Sequence, residues 1–394
     1  MLQSPAARLV ILALVHFVVD FCGGLLIPLP EPTLTTHLGV GLPAVALLLG
    51  GCALLVNVVQ PVSGWLLPQR GVPILLVLGP AMAATVTLIG LTHTIGSVTA
   101  LLIVSGVGIG MVHPEGSLAA HSILEQRKGW AVSLFMSGGY FGFALGSLVG
   151  GLWAVHAGPG LGYFWVLGAL PVAVAVLVVR SGLHRLEGHV VEERAEDGEG
   201  RVPFAIVLMM AISVAVAMGM LVRFTPILMV RRFPGHDAQA WAGATVFAYG
   251  VSGVLGSLVW GHFSDRWGRG RTIAGAQLLG LPFLYLWLHA ATPWHMPLWA
   301  VGTGLTAGGV FPLCVVLARE SRGLAQRLRM GLAIGGTWGL GEVAFMMGGK
   351  YAGFFPDGDA RPISAVLRLC WIFLGGAATL AVLVAVRERK NARR

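Results

Sequence analysis

The sequence predicts an all-α membrane protein whose twelve transmembrane helices form two six-helix bundles. Of its 394 residues, 56% are hydrophobic and only 11% are charged, and the mean hydropathy is +0.81. Soluble domains carry about 25% charged residues, so this composition excludes an ordinary globular protein. Each of twelve apolar segments approaches the roughly 20 residues that cross a ~30 Å hydrocarbon core. They lie at about 9–29, 44–67, 73–93, 98–123, 130–153, 163–180, 204–229, 240–261, 272–291, 296–318, 329–350 and 364–386.

The distribution of positive charge explains the net charge of +9 without a nucleic-acid partner. If the N-terminus is cytoplasmic, twenty Lys and Arg residues fall on the cytoplasmic side and Arg223 falls within a span. Only five fall on the opposite side: Arg231, Arg232, Lys350, Arg361 and Arg368. This bias predicts a bacterial inner-membrane protein with both termini in the cytoplasm. The chain does not open on a cleavable leader pattern, so we expect the first apolar segment to remain as a span.

A polar stretch divides the chain into two halves. We expect an N-terminal bundle at 1–180, a cytoplasmic linker at 181–203 and a C-terminal bundle at 204–394. Glycine and proline positions recur between the halves at an offset of 197 or 198 residues. This repeat predicts two parallel six-helix units with the substrate bound between them. The matched pairs are Gly64 with Gly261, Gly71 with Gly268, Gly138 with Gly335, Gly139 with Gly336, Gly142 with Gly339, and Pro114 with Pro312.

A loop in the second half carries a family signature. The stretch GHFSDRWGRGR resembles the motif G-x-x-x-D-R-x-G-R of the major facilitator superfamily, through Gly261, Asp265, Arg266, Gly268 and Arg269. The resemblance implies the major facilitator fold and a loop that holds neighbouring helices together on the cytoplasmic side. Asp265 would then pair with a basic residue such as Arg327 or Arg329. The first-half counterpart departs from the motif, because Pro68 and Gln69 replace its Asp-Arg pair.

Two further resemblances indicate export. The fifth apolar segment is similar to the glycine-rich motif of drug/proton antiporters, although Ser133 and Ser147 replace its usual Gly and Pro. Its glycines are Gly142, Gly146, Gly150 and Gly151. Three stretches resemble the fosmidomycin-resistance type of exporter: HFVVDFCGGLLIPLPEP from His16, NVVQPVSG from Asn57 and GIGMVHPEGSLAAH from Gly108.

Asp20 and His16 form the first candidate site. Asp20 lies about 16 Å into the first apolar segment, near the bilayer midplane, and His16 lies one turn earlier on the same helical face. A charge in a span costs roughly 3 kcal/mol on insertion scales, so such residues are functional candidates. Because imidazole titrates near neutral pH, we predict that this pair couples transport to protons. The alternative is a structural pair that ties the first helix to its neighbours.

The fourth apolar segment contains His113, Pro114 and Glu115. Proline lacks a backbone N–H and kinks a helix, and transporters often place binding sites at interrupted helices. We therefore predict that His113 contacts substrate and that Glu115 is a second proton carrier. The alternative for Glu115 is a cytoplasmic-gate contact with Arg127 or Lys128.

Arg223 and Glu342 are the ionisable candidates of the second half. Arg223 stays charged, so it must face a cavity or a carboxylate, and its guanidinium group suits an anionic substrate. We predict substrate binding by Arg223, with a structural partner such as Asp20 or Glu342 as the alternative. Glu342 is also a candidate for proton coupling.

Four other side chains are candidates for lining a substrate cavity: Asn57, Gln60, Tyr140 and Trp338. Polar side chains between membrane helices often serve packing instead, at ~0.6 kcal/mol each. Tyr140 and Trp338 lie beside equivalent glycine motifs in the two halves. They would form either an aromatic clamp or part of the core.

No motif indicates an enzyme, a cofactor or a metal centre. The chain lacks a G-x-S-x-G elbow, a P-loop and an H-E-x-x-H sequence, so an ion gradient must supply the energy. Its four cysteines lie in apolar segments without metal-ligand spacing and are interpreted as small core residues.

We therefore predict a monomeric, proton-coupled exporter of a small organic or drug-like molecule, which works by alternating access within membrane lipid. A symporter or facilitator for a small organic anion, anchored by Arg223, is one alternative. A divalent-metal exporter using His16, Asp20, His113 and Glu115 is another. A lipid flippase or a non-transporting sensor would represent a different class.

Overall fold

The computed structural model describes residues 2, 4–66, 71–123, 128–156, 161–186, 202–235, 237–324 and 326–392. Every named element within these ranges is a helix. Most of the predicted linker, residues 187–201, lies outside the described residues, as do Pro68, Gln69 and Arg127. The helices divide into two units, residues 1–193 and 194–394.

Each unit contains six main helical segments within the described residues. The first unit has α1 (Pro5–Leu25), α2 (Leu42–Leu66), α3 (Leu75–Leu91), α4 (Ile95–Ile123), α5 (Lys128–His156) and α6 (Phe164–Ser181). The second unit has α7 (Phe204–Arg232), α8 (Ala238–Trp267), α9 (Arg269–Leu288), α10 (His295–Glu320), α11 (326–352) and α12 (Ala360–Ala392).

The helical segments confirm the predicted all-α fold class, with six helical segments in each unit of the described residues. Nine helices of the described ranges are long and apolar enough to cross a membrane, and α3 is a shorter apolar helix. The α11 segment includes a π-helical turn at Leu332–Gly336, which interrupts its regular α-helix.

The ends of α1 differ from the apolar segment predicted at 9–29. The helix begins at Pro5, because the Ser4 hydroxyl accepts the Ala7 N–H at 3.3 Å and proline suits the first helical position. It ends at Leu25, with Leu26 as its C-cap residue. Local capping chemistry at Ser4, rather than hydropathy, therefore sets the first residue of α1.

A row of glycines brings α5 against α1. At Gly138, Gly142, Gly146 and Gly150, an added Cβ would lie closer than 3.0 Å to a backbone oxygen of α1. Residues four apart share one helical face, so this row forms a continuous α1–α5 seam. The Ser147 hydroxyl also donates to the Gly24 carbonyl at 3.3 Å, across the same seam. Close backbone approach between small residues is a common way to join membrane helices.

Two loops at matching positions of the repeat depend on glycine. Gly71 lies between α2 and α3 with φ +76°, and Gly268 lies between α8 and α9 with φ +84°. Side chains strongly disfavour these angles, whereas glycine adopts them readily. The two residues are 197 positions apart, so the predicted repeat coincides with a positive φ angle at both glycines.

Candidate functional site

Three ionisable side chains meet within the first unit. His16 and Asp20 lie on one face of α1, where His16 Nε2 is 3.2 Å from Asp20 Oδ2. His113 of α4 places its Nε2 atom 3.4 Å from Asp20 Oδ1. The two imidazole rings meet edge to face, with centroids 4.7 Å apart. We call His16, Asp20 and His113 the triad.

Backbone carbonyl groups fix the proton on both imidazole rings. His16 Nδ1 lies 2.8 Å from the Phe135 carbonyl oxygen, and His113 Nδ1 lies 2.8 Å from the Ile109 carbonyl oxygen. A carbonyl oxygen only accepts hydrogen bonds, so each Nδ1 must be the donor. In the neutral rings, each Nε2 then presents a lone pair toward Asp20. A hydrogen bond to one ring nitrogen commonly sets the role of the other in this way.

The net charge of the triad depends on whether one of its imidazoles carries a second proton. With both rings neutral, two nitrogen lone pairs and a carboxylate face one another, and the group carries a charge of −1. Within the described part of the chain, the buried Nε2 atom of His16 makes no hydrogen bond. One added proton on either Nε2 would neutralise the triad and replace a lone-pair contact with a charge-assisted hydrogen bond. The arrangement is therefore suited to binding and releasing a proton.

Access to the triad is limited but not closed in the first unit. The Asp20 and His113 side chains are 19% and 21% exposed, whereas that of His16 is 2% exposed. The His16 ring stacks on Phe135, with centroids 4.2 Å apart. Gly139 of α5 faces His16 and Asp20 so closely that a Cβ there would clash with both side chains. The missing side chain of Gly139 thus provides the space in α5 that His16 and Asp20 occupy.

The same three residues have a donor set that suits a divalent metal ion. One ligand atom from each lies within 4.8 Å of the others. Imidazole nitrogen with a carboxylate oxygen is a common ligand combination for zinc and related metals. Glu115 does not belong to this group. The predicted four-residue metal set is therefore reduced to three.

Glu115 instead supports the loop that joins α2 to α3. Its Oε2 atom accepts the Val72 N–H at 2.7 Å, and its carboxylate lies against Gly71. A similar contact occurs in the second unit, where Glu388 of α12 accepts the Gly270 N–H at 3.3 Å. In both units a carboxylate thus binds the backbone beside the loop glycine. The predicted alternative partner Arg127 lies outside the described residues, as does the Lys128 side chain.

Arg223 and Glu342 form an ion pair between α7 and α11. Arg223 Nη2 and Nε donate to the same Glu342 oxygen, Oε1, at 2.7 and 3.2 Å. Both side chains are largely buried, and the guanidinium group lies 5.6 Å from the centre of the Phe345 ring. Within the second unit, Arg223 is therefore paired with Glu342, one of the two structural partners considered from the sequence. The other carboxylate oxygen of Glu342 is buried and has no hydrogen-bond partner among the described residues.

The other predicted cavity residues lie outside these two polar groups. Asn57 donates within its own helix to the Ala53 carbonyl at 3.0 Å, and Gln60 is partly exposed on the same helix. Tyr140 is 43% exposed in the first unit, so it is not a core residue there. Trp338 contacts the edge of Phe311 at a centroid distance of 5.2 Å and packs on the core of the second unit.

The pairing of Asp265 with Arg329 is corrected by the structure. Asp265 is exposed at the end of α8, whereas Arg329 is buried and donates to the Arg319 carbonyl at 3.2 Å. The Arg327 side chain lies outside the described residues. The loop is instead joined to the end of α10 by an ion pair between Arg269 and Glu320. The ion pair thus involves Arg269, the last residue of the motif, and the role of the motif in holding the helices together stays a prediction.

The sequence did not reveal Phe135 or Gly139 as parts of the site. Phe135 contributes a backbone oxygen, which any residue carries, so no side-chain pattern marks it. Gly139 belongs to the glycine repeat, but the repeat alone does not show which glycine faces the ionisable residues.

Comparison with known proteins agrees with this architecture. Residues 12–244 match the family model described as Major Facilitator Superfamily. The fosmidomycin resistance protein of Escherichia coli (strain K12) is 26% identical over 324 residues, which cover 80% of this chain and 77% of that protein. An uncharacterized MFS-type transporter, YfnC of Bacillus subtilis (strain 168), is 24% identical over 355 residues, covering 85% and 84%.

Solved structures show the same fold at low sequence identity. A bacterial homolog of the human lysosomal transporter Spinster aligns with a TM-score of 0.73 and 13% identity, over 98% of both chains. A D-xylose–proton symporter aligns with a TM-score of 0.67 and 14% identity, over 96% of both chains. The helices, their repeat and the family match together establish that this chain belongs to the major facilitator superfamily of membrane transporters and is not an enzyme.

Proposed function

We propose that the protein is a proton-coupled exporter of a small organic molecule and works by alternating access. The observation that carries this proposal is the triad, in which one carboxylate is shared by two imidazoles whose Nε2 atoms both face it. We assign proton binding to this group as a unit. Its members are His16, Asp20 and His113.

The chemistry of the triad suits a coupling site. The triad carries a charge of −1 when both rings are neutral and no net charge after one proton binds, and the two imidazoles offer alternative positions for that proton. A bound proton neutralises the Asp20 charge within the span, which lowers the desolvation cost of rearranging α1 against its neighbours. Release of that proton restores a carboxylate that disfavours a dry environment. Protonation can thus bias which conformation the transporter adopts.

The energetics are sufficient for efflux. One proton that enters down a membrane potential of ~150 mV releases about 3–4 kcal/mol. At 1.4 kcal/mol per tenfold change, that supports a substrate gradient of roughly several hundredfold. Coupling of one proton to one substrate therefore suffices for resistance-type export.

Two relatives support export over uptake. One carries the name fosmidomycin resistance protein, and another, MdtG of Salmonella arizonae, is named as a multidrug resistance protein at 25% identity over 266 residues. The glycine seam of α5 resembles that of drug/proton antiporters and in this chain backs the triad directly. We assign Glu115 and the Arg223–Glu342 pair to conformational roles, since each already has a partner.

The test is a proton-flux assay in proteoliposomes with a pH-sensitive dye. Small anionic and amphipathic compounds are screened against the wild type, Asp20→Asn and the control Glu115→Gln, which changes a carboxylate outside the triad. We expect substrate-triggered proton movement that disappears in Asp20→Asn and persists in Glu115→Gln. Proton movement that survives in Asp20→Asn, or a silent wild type throughout the screen, contradicts the proposal.

A divalent-metal exporter is the second candidate, favoured by the three ligand atoms that lie within 4.8 Å of one another. It predicts that Zn²⁺ raises the melting temperature of the wild type but not of Asp20→Ala. It further predicts metal-driven proton movement in the same liposomes. If Zn²⁺ stabilises the wild type but no metal flux is observed, metal export is excluded and export of an organic molecule remains the proposed function.

A further inference from the structure

Three cations at one end of the second unit line a common cavity. Of the five cations predicted on the side opposite the termini, Arg232, Arg361 and Arg368 border a cavity of about 550 Å³ at the ends of α7, α11 and α12. Ser364 and Tyr351 contribute hydroxyl groups to its wall. Positive charge is sparse on this side of the protein. The grouping of three cations around one cavity therefore suggests that the cavity binds an anion.

A carboxylate already compensates one of these cations. Arg361 donates from Nη2 and Nε to Asp359 Oδ2, at 2.8 and 3.0 Å. Asp359 also accepts the Arg361 backbone N–H at 2.9 Å and so caps the start of α12. This ion pair leaves Arg232 and Arg368 as the uncompensated charges of the cavity.

Among the described residues, the hydrogen bonds of Arg232 go to neutral groups. Its Nη1 atom donates to the Leu288 carbonyl and its Nη2 atom to the Ser364 hydroxyl, the latter at 3.2 Å. Among the described residues, neither Arg232 nor Arg368 forms an ion pair with a carboxylate. Both also border a smaller adjoining cavity together with Ser364. Two like charges that share a cavity repel each other, so a bound anion would stabilise this arrangement.

The position of Arg368 points to a ligand from the membrane. It lies eight residues after the start of α12, about 12 Å along the helix axis, and its side chain is exposed. An arginine at that depth is costly in lipid unless it meets an anion or reaches the interface. The forked N–H groups of guanidinium match phosphate oxygens in pairs, which a single carboxylate or chloride satisfies less completely.

We propose that Arg232 and Arg368, with the Ser364 hydroxyl, bind a phosphate group at this end of the second unit. On the topology proposed above, the phosphate is that of a phospholipid headgroup in the outer leaflet. The site involves second-unit residues alone and is independent of the triad and its proton. The bound headgroup would join the ends of α7, α9 and α12, since Arg232 reaches both Leu288 and Ser364.

The experiment measures ligand binding to the purified full chain in detergent by native mass spectrometry and by thermal shift. The probes are phosphatidylglycerol, glycerol 3-phosphate and inorganic phosphate. The variants are Arg368→Gln and Arg232→Gln, with Lys350→Gln as a control that removes a cation from the same end without touching the cavity. Arg368→Gln is decisive, because Arg232→Gln also removes two hydrogen bonds within the protein.

We expect Arg368→Gln to weaken phosphatidylglycerol binding about ten- to hundredfold, the range for a charge-assisted hydrogen bond, and Lys350→Gln to change it by about twofold or less. Binding of the lipid alone identifies the headgroup as the source. Arginine-dependent binding of glycerol 3-phosphate or inorganic phosphate assigns the site to a soluble phosphate compound instead. Equal binding by all variants, or no binding of any probe, overturns the proposal.

Discussion

The α1–α5 seam makes a sharp prediction about helix packing. At Gly142, an added Cβ would lie 2.0 Å from the Phe17 carbonyl oxygen, whereas real Cβ atoms essentially never come closer than 3.0 Å to another heavy atom. The obstacle is backbone rather than a flexible side chain, so α1 and α5 must move apart. Gly142→Ala should therefore destabilise the protein, although alanine is the better helix former.

Overpacking of this kind typically costs about 1–3 kcal/mol. The unit that contains the seam spans residues 1–193. For a unit of that size, each kcal/mol shifts the melting temperature by roughly 2–4 °C, so we expect a decrease of roughly 2–12 °C. The displaced α1 also carries Asp20, so separation of the helices should weaken its contact with His113.

The assay is thermal unfolding of the purified protein in detergent, followed by tryptophan fluorescence. The matched control is Gly275→Ala, in α9, where an added Cβ would meet nothing within 4 Å. We expect the control to melt at or slightly above the wild-type temperature. If Gly142→Ala and Gly275→Ala melt together with the wild type, the seam is not closely packed and the reasoning is refuted.

Two further predictions concern ion pairs of the second unit. Arg223→Gln leaves Glu342 buried without its cation and should destabilise the protein by about 3–5 kcal/mol. The double variant with Glu342→Gln should recover most of that loss. Additive losses of the two single variants in thermal unfolding would exclude coupling between the two residues. Asp359→Asn keeps the cap of α12 but releases Arg361 into the cavity, so phosphatidylglycerol affinity should rise about three- to tenfold in native mass spectrometry. An unchanged or weaker affinity would contradict this reasoning.

Much of the fold could be predicted because the information is local. A span needs only length and hydropathy, so the apolar segments agree with the helices to within a few residues at most ends. The contact between His16 and Asp20 also follows from local geometry, since residues four apart on a helix are neighbours. Helix ends were less predictable, because they depend on single capping residues such as Ser4.

Contacts between distant segments could not be derived from the sequence. His113 and Asp20 are both apparent as intramembrane polar residues, but hydropathy carries no information about the rotation of α4 relative to α1. The same limit applies to Glu115, whose partner is a backbone N–H in a loop that carries no charge. The exposed position of Asp265 depends on how α8 ends, which the motif does not determine.

The most direct test of the central claim compares two transport modes of Asp20→Asn in proteoliposomes, with a substrate identified in the dye screen. One mode is counterflow exchange of labelled substrate, which requires no net proton movement. The other is uphill transport driven by an imposed proton gradient. The account predicts that Asp20→Asn retains exchange but loses gradient-driven transport. Without the carboxylate, a proton on either imidazole would create an uncompensated positive charge within the span instead of neutralising the triad. Wild-type accumulation by Asp20→Asn under the same proton gradient would contradict the account.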